Sequence, residues 1–107
     1  MKIRKATFHD APDIKILLDN LGYKVSLSRL ITQITTSFND DDNQVWVCED
    51  RDTLTGFAVL HDLPKLGSET GLLVVSCLSC TEQTAKNALE RHVNELAVKR
   101  NCERITL

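Results

Sequence analysis

At 107 residues, 42% apolar and 26% charged, the chain has the composition of an ordinary soluble globular protein, and disorder is excluded. One domain over residues 1–107 fits that length, burying roughly 65% of the surface its unfolded chain exposes and leaving no room for a second core. A formal net charge of −2, with Lys and Arg scattered along the chain, gives no electrostatic footprint for nucleic acid, and no apolar run approaches the roughly 18 residues of a membrane span.

The basic opening Met1-Lys2-Ile3-Arg4-Lys5 is followed by Asp10 and Asp13 without the apolar middle of a signal peptide, so a cytoplasmic protein with reduced cysteines is expected. Residues 2 to 7 read as a short strand. Thr7-Phe8-His9-Asp10 then has the spacing of a capped helix start. Ala11, Ile14, Leu17, Leu18 and Leu21 form one helical stripe, which Gly22 ends as a left-handed C-cap residue. A second helix begins near Ser26 with Leu27, Leu30, Ile31, Ile34 and Phe38 on its apolar face. Asp40-Asp41-Asp42 closes it as a solvated loop, and no metal site is expected there.

From Gln44 the period changes to that of strands. Gln44 to Glu49 and Thr55 to His61, joined by the turn-like Asp50-Arg51-Asp52-Thr53, predict an antiparallel hairpin that is apolar on both faces and therefore covered by helices on each side. After a loop with Pro64 and Gly67 come a third long strand, Thr70 to Leu78, a helix from about Ser79 to Arg100, and a last strand, "ERITL". The connection length implies a crossover unit with its two strands parallel.

This order of elements resembles that of the GCN5-related N-acetyltransferases (GNAT). The wording agrees along essentially the whole chain: "IRKATFHDAPDIKILLDNLGY" is similar to the opening of many such enzymes, "GFAVLH" to their third strand, "LLVV" to their fourth and "ERITL" to their fifth. The resemblance implies a mixed α/β (α+β) sheet of about five strands with helices on both faces, in the order strand, two helices, three strands, helix, strand. Relative to the family pattern, the C-terminal helix and two further strands are not among these residues.

The resemblance also implies acetyl-CoA as cosubstrate, with its pyrophosphate held by backbone N–H groups where the fourth strand turns into the long helix. Val74, Val75, Thr81, Gln83, Thr84, Ala85 and Lys86 are the implied binding residues, in a register uncertain by one position, and an amine acceptor is expected near Gly22 and Tyr23. Unpaired amides and the helix dipole attract an anion there, and the family's glycines ease its approach. Here no glycine follows Gly71, and Ser79-Cys80-Thr81-Glu82 reads as a capping box that would occupy the helix N-terminus with the protein's own carboxylate. The family's acidic general base falls on Gly71, so Glu69, two residues earlier on the same side of a strand, and His61 are the candidates, with Asp62 beside them.

Other motifs read as packing. Cys77-Leu78-Ser79-Cys80 has redox-pair spacing but lacks the element order of a thioredoxin, and Cys48 and Cys102 are isolated, so core thiols are expected and no zinc site. Trp46 reads as core, and His92 as a boundary residue on the long helix. Two functions follow: acetyl transfer to an amine, or a non-catalytic binding or regulatory module of the same fold. In the second, the edge of the last strand would pair with another chain, as in a homodimer.

Overall fold

The computed structural model describes residues 1–107. Its elements are β1 (Lys2–Lys5), a 3-10 turn (Phe8–Asp10), α1 (Ala11–Asn20), α2 (Leu27–Phe38), β2 (Asn43–Asp50), β3 (Thr53–Leu63), β4 (Gly71–Cys80), α3 (Gln83–Lys99) and β5 (Cys102–Thr106). The strands form one sheet in sequence order, antiparallel from β1 to β4 and parallel between β4 and β5. No helix is long and apolar enough to cross a membrane.

Local chemistry accounts for most of the boundaries. β1 stops at Lys5, two residues before the expected end, because Thr7 is drawn into the turn, where its N–H donates to the Asp10 carboxylate at 2.8 Å. Asp10, only 6% exposed, also receives both Arg4 guanidinium nitrogens at 2.8 Å, tying β1 to the start of α1. At the far end of α1, Gly22 adopts φ +90°, Tyr23 N–H reaches Leu18 C=O and Gly22 N–H reaches Asp19 C=O, each at 3.0 Å. Those two bonds are a Schellman motif. Ser26 caps α2 by accepting from Arg29 N–H at 3.2 Å. The β2–β3 turn places Arg51 and Asp52 at φ 51° and 64°, the left-handed pair of a type I′ hairpin.

The sheet is apolar on both faces because a helix layer covers each. On one, α3 presents Ala85, Leu89, Val93 and Ala97 to Cys48, Ala58, Leu60, Leu73 and Val75. On the other, α1 and α2 present Ala11, Ile14, Leu30 and Ile34 to Val47 and Phe57. Trp46 packs half-buried against the α3 side and meets His92 with ring centroids 4.2 Å apart and planes tilted by 59°. Desolvation lowers the His92 pKa, consistent with a residue at the core boundary.

One boundary overturns an expectation. Ser79 and Cys80 continue β4, opposite Phe57 and Gly56, so α3 begins at Gln83 and the Ser79–Glu82 capping box does not form. Glu82 occupies the N-cap position, and its side chain makes no capping bond. Within β4, Leu60 pairs with Val75 and Val59 with Cys77, leaving Ser76 as the extra residue of a β-bulge.

Candidate functional site

The bulge at Ser76 decides what faces what. Val75 points into the α3 core, yet Ser76 and Cys77 both turn toward α1 and α2, where strict alternation would have allowed only one of them. They line a cavity of about 570 Å³ between the helices and the sheet, walled chiefly by Ile14, Leu18, Val25, Leu30, Phe57 and Val59. Its polar end is a chain of four residues. His61 Nε2 lies 2.8 Å from Ser76 Oγ, and His61 Nδ1 lies 2.8 Å from Asn43 Oδ1. Asn43 Nδ2 in turn donates to Asp40 Oδ2 at 3.1 Å.

The chain fixes its own protons. A carboxylate only accepts, so the Asn43 amide must turn its NH₂ to Asp40 and its oxygen to His61. Nδ1 of His61 is therefore the donor, and in the neutral imidazole Nε2 is left to accept the Ser76 hydroxyl proton. Of the expected catalytic residues, His61 thus holds a base-like orientation in a cavity, and Tyr23, from the expected acceptor region, lines the same cavity. Tyr23 also contacts Cys77: burial pushes that thiol's pKa up and the Tyr23 hydrogen bond partly offsets it. Gly22 serves the helix cap and is not part of the wall.

The other candidates separate from this site. Glu69 lies in the exposed loop before β4, not on the strand, and does not line the cavity. Gly71 opens β4 against backbone, where a Cβ would come within 3.1 Å of Leu63 O and 3.4 Å of Cys102 Sγ, so any side chain there would crowd its neighbours. Asp62 points to the α3 side and pairs with Arg100 at 3.0 Å. Cys77 and Cys80 belong to opposite faces of β4, and burial raises the Cys80 thiol to about 11; neither geometry nor acidity suits a redox pair. No group of three or more His, Cys, Asp or Glu side chains converges as a metal site.

At the C-terminal end of β4, Leu78 to Gln83 and Lys86 surround a second cavity of about 410 Å³. Thr81 is held by its N–H and hydroxyl on Thr55 C=O at 2.8 and 3.2 Å. The N–H groups of Gln83, Thr84 and Ala85 have no intramolecular acceptor, since the first bond of the helix runs from Lys86 N–H to Glu82 C=O. Lys86 makes no ion pair, and Glu82 borders the same space. Among the expected cofactor residues, Thr81, Gln83 and Lys86 line the cavity. Thr84 is exposed beside it, while the side chains of Val75 and Ala85 are wholly in the α3 core, and Val74 is buried in β4 opposite His61.

No family model and no curated protein sequence matches the chain. Solved structures do match. A GNAT family acetyltransferase from Staphylococcus aureus superposes with a TM-score of 0.80 at 17% identity, covering 99% of this chain and 84% of its own. A ribosomal-protein-alanine N-acetyltransferase from Brucella melitensis gives 0.73 at 18% identity, over 99% of this chain and 77% of its own. A protein described as a transcriptional regulator, from Bacillus halodurans, gives 0.83 at 18% identity, over 99% and 79%. The chain has the GNAT fold: a mixed five-stranded sheet with helices on both faces, similar to acetyltransferases of that type.

Proposed function

We propose that the chain binds acetyl-CoA at the turn between β4 and α3 and transfers its acetyl group to an amine held in the larger cavity. The observation that carries this reading is the open N-terminus of α3. The N-terminus of a 17-residue helix, whose first three amides have no intramolecular acceptor, opens beside a cavity lined by Gln83 and by Lys86, which has no ion-pair partner, a donor set suited to an anionic pyrophosphate. Acetyl-CoA would supply an activated acyl thioester. Glu82, freed from capping, weakens the attraction for an anion, and the absence of glycine limits how closely the backbone can be approached.

The two cavities share one strand. Ser79 borders the turn and Ser76 the acceptor cavity, roughly 10 Å apart at about 3.3 Å per residue. When the acceptor nitrogen takes the acyl group, its proton passes through the Ser76 hydroxyl to His61 Nε2 and on to the departing thiolate. Asn43 and Asp40 hold the imidazole in the tautomer this needs. The test is thermal stabilisation by acetyl-CoA at millimolar concentration. A rise in melting temperature that Lys86→Glu abolishes and Glu82→Gly enlarges supports the reading; no rise in either the parent or Glu82→Gly defeats it.

A second reading, favoured by the position of β5, is association between copies. β5 is an edge strand whose far side has no partner and on which Ile105 is partly exposed. Sedimentation at high concentration would show a dimer that dissociates on Ile105→Lys; a strict monomer would rule it out.

A further inference from the structure

We infer that the acceptor is a small amine with an apolar body, bound in the cavity between α1, α2 and the sheet in its neutral form, and that polycationic amines are excluded. The inference rests on the proposed function for the transfer itself, but the binding it describes stands on the cavity alone. Ten of the sixteen lining residues are hydrophobic. Asp, Glu, Lys and Arg are all missing from the wall. The titratable groups that face the space are His61 from β3, Cys77 from β4 and Tyr23 from the loop after α1; α1 contributes Ile14 and Leu18, α2 contributes Leu30, Gln33, Ile34 and Ser37, and β2 contributes Asn43, Gln44 and Val45. The nearest carboxylate in the polar chain, Asp40, stands behind Asn43 and is spent on it.

An ammonium entering such a space gives up part of its hydration and meets no counter-charge, a loss that disfavours the charged form. A neutral amine loses far less, because its N–H can donate to the Ser76 oxygen at the cavity's polar end while its body replaces water against Phe57, Val59 and Leu18. The volume, about 570 Å³, suits one compact ring or branched chain rather than a polypeptide or an oligosaccharide. A polyamine would have to discharge several nitrogens at once. The same desolvation prepares the bound nitrogen to attack, since its lone pair is already free.

Calorimetry in the absence of cosubstrate tests this with three probes. For 2-phenylethylamine, which carries an alkylamine pKa near that of lysine, the neutral fraction grows with pH. Its apparent affinity should therefore rise about tenfold per unit between pH 7 and 9. 4-Ethylaniline, neutral throughout that range, should bind at pH 7 with an affinity that stays flat, which separates ligand titration from that of His61, Tyr23 or Cys77. Spermidine should not bind. Val25→Trp, in the loop before α2, should fill the space and weaken both aromatic amines at least tenfold with the melting temperature unchanged. Equal affinity of 2-phenylethylamine at pH 7 and 9, binding of spermidine, or indifference to Val25→Trp would each overturn the inference. Failure of both aromatic amines in a protein that acetyl-CoA stabilises would overturn it and spare the transferase reading. Amine binding as described, without stabilisation by acetyl-CoA, would sink transfer and keep the cavity's selectivity.

Discussion

The two faces of the sheet bury similar residue types and end differently. On the α3 side one helix crosses the strands with small and branched residues in register, and Ala85, Leu89 and Val93 reach zero exposure against Val75 and Cys48. On the other side two shorter helices meet at the Gly22–Ser26 connection, the bulge adds a hydroxyl where an apolar residue would have packed, and a cavity remains. The contrast is one of what each face adds to its core: the α3 side closes over the strands, and the helix-pair side keeps a cavity beside its buried residues.

If that division holds, the largest loss should come from the α3 side. Leu89→Ala should cost about 3 kcal/mol in denaturant unfolding, while binding of amines to the folded fraction stays as before. Equal losses from Leu89→Ala and Leu30→Ala in one experiment would break the contrast. Gly56→Ala comes next, because its Cβ would lie 2.7 Å from Cys80 Sγ and 3.0 Å from Ser79 O. A cost of about 2 kcal/mol is expected, partly relieved by adding Cys80→Ala, and strict additivity of the two changes would contradict a clash between them.

On the helix-pair side the effects should be smaller and electrostatic. Asp10→Asn breaks the fork with Arg4 and should cost about 1.5 kcal/mol. Burial raises the Asp10 pKa, but the hydrogen bonds from Arg4 and Thr7 outweigh it and the net shift is downward. A carboxylate with a depressed folded pKa contributes stability that is complete above its unfolded value near 3.9 and lost as pH falls through the folded one. The difference between parent and Asp10→Asn should therefore shrink below about pH 4; a difference constant from pH 7 to 2 would refute the assignment. Ser26→Ala, removing one cap of α2, should cost least, about 1 kcal/mol, readable as a small drop in melting temperature.

Much of this architecture is legible in the sequence. The hairpin is marked by Asp50-Arg51-Asp52-Thr53, the end of α1 by Gly22 and the start of α2 by Ser26, because each is a short-range requirement for a positive φ or a capping oxygen. The parallel crossover follows from the spacing of strand, helix and strand. The junction after β4 misleads, since Ser79 and Glu82 satisfy the local rule for a cap while β3 offers Ser79 and Cys80 strand partners instead.

The site divides along the same line. His61 and Tyr23 can be singled out by type and position, but Ser76, Asn43 and Asp40 carry no signal of their own. Asp40 reads as part of a solvated loop, and Ser76 faces His61 through a bulge that no local pattern announces.

The sequence by itself determined the elements, their order and the apolar stripes that place helices on both faces, because periodicity and turn chemistry act over a few residues. Only the tertiary structure decided that α3 starts without a side-chain cap, that Gly71 sits crowded against Leu63 and Cys102, and that Asp40, Asn43, His61 and Ser76 join into one polar chain. Those outcomes depend on contacts between strands, such as His61 with Asn43 and with Ser76, where the sheet register outweighs local preference.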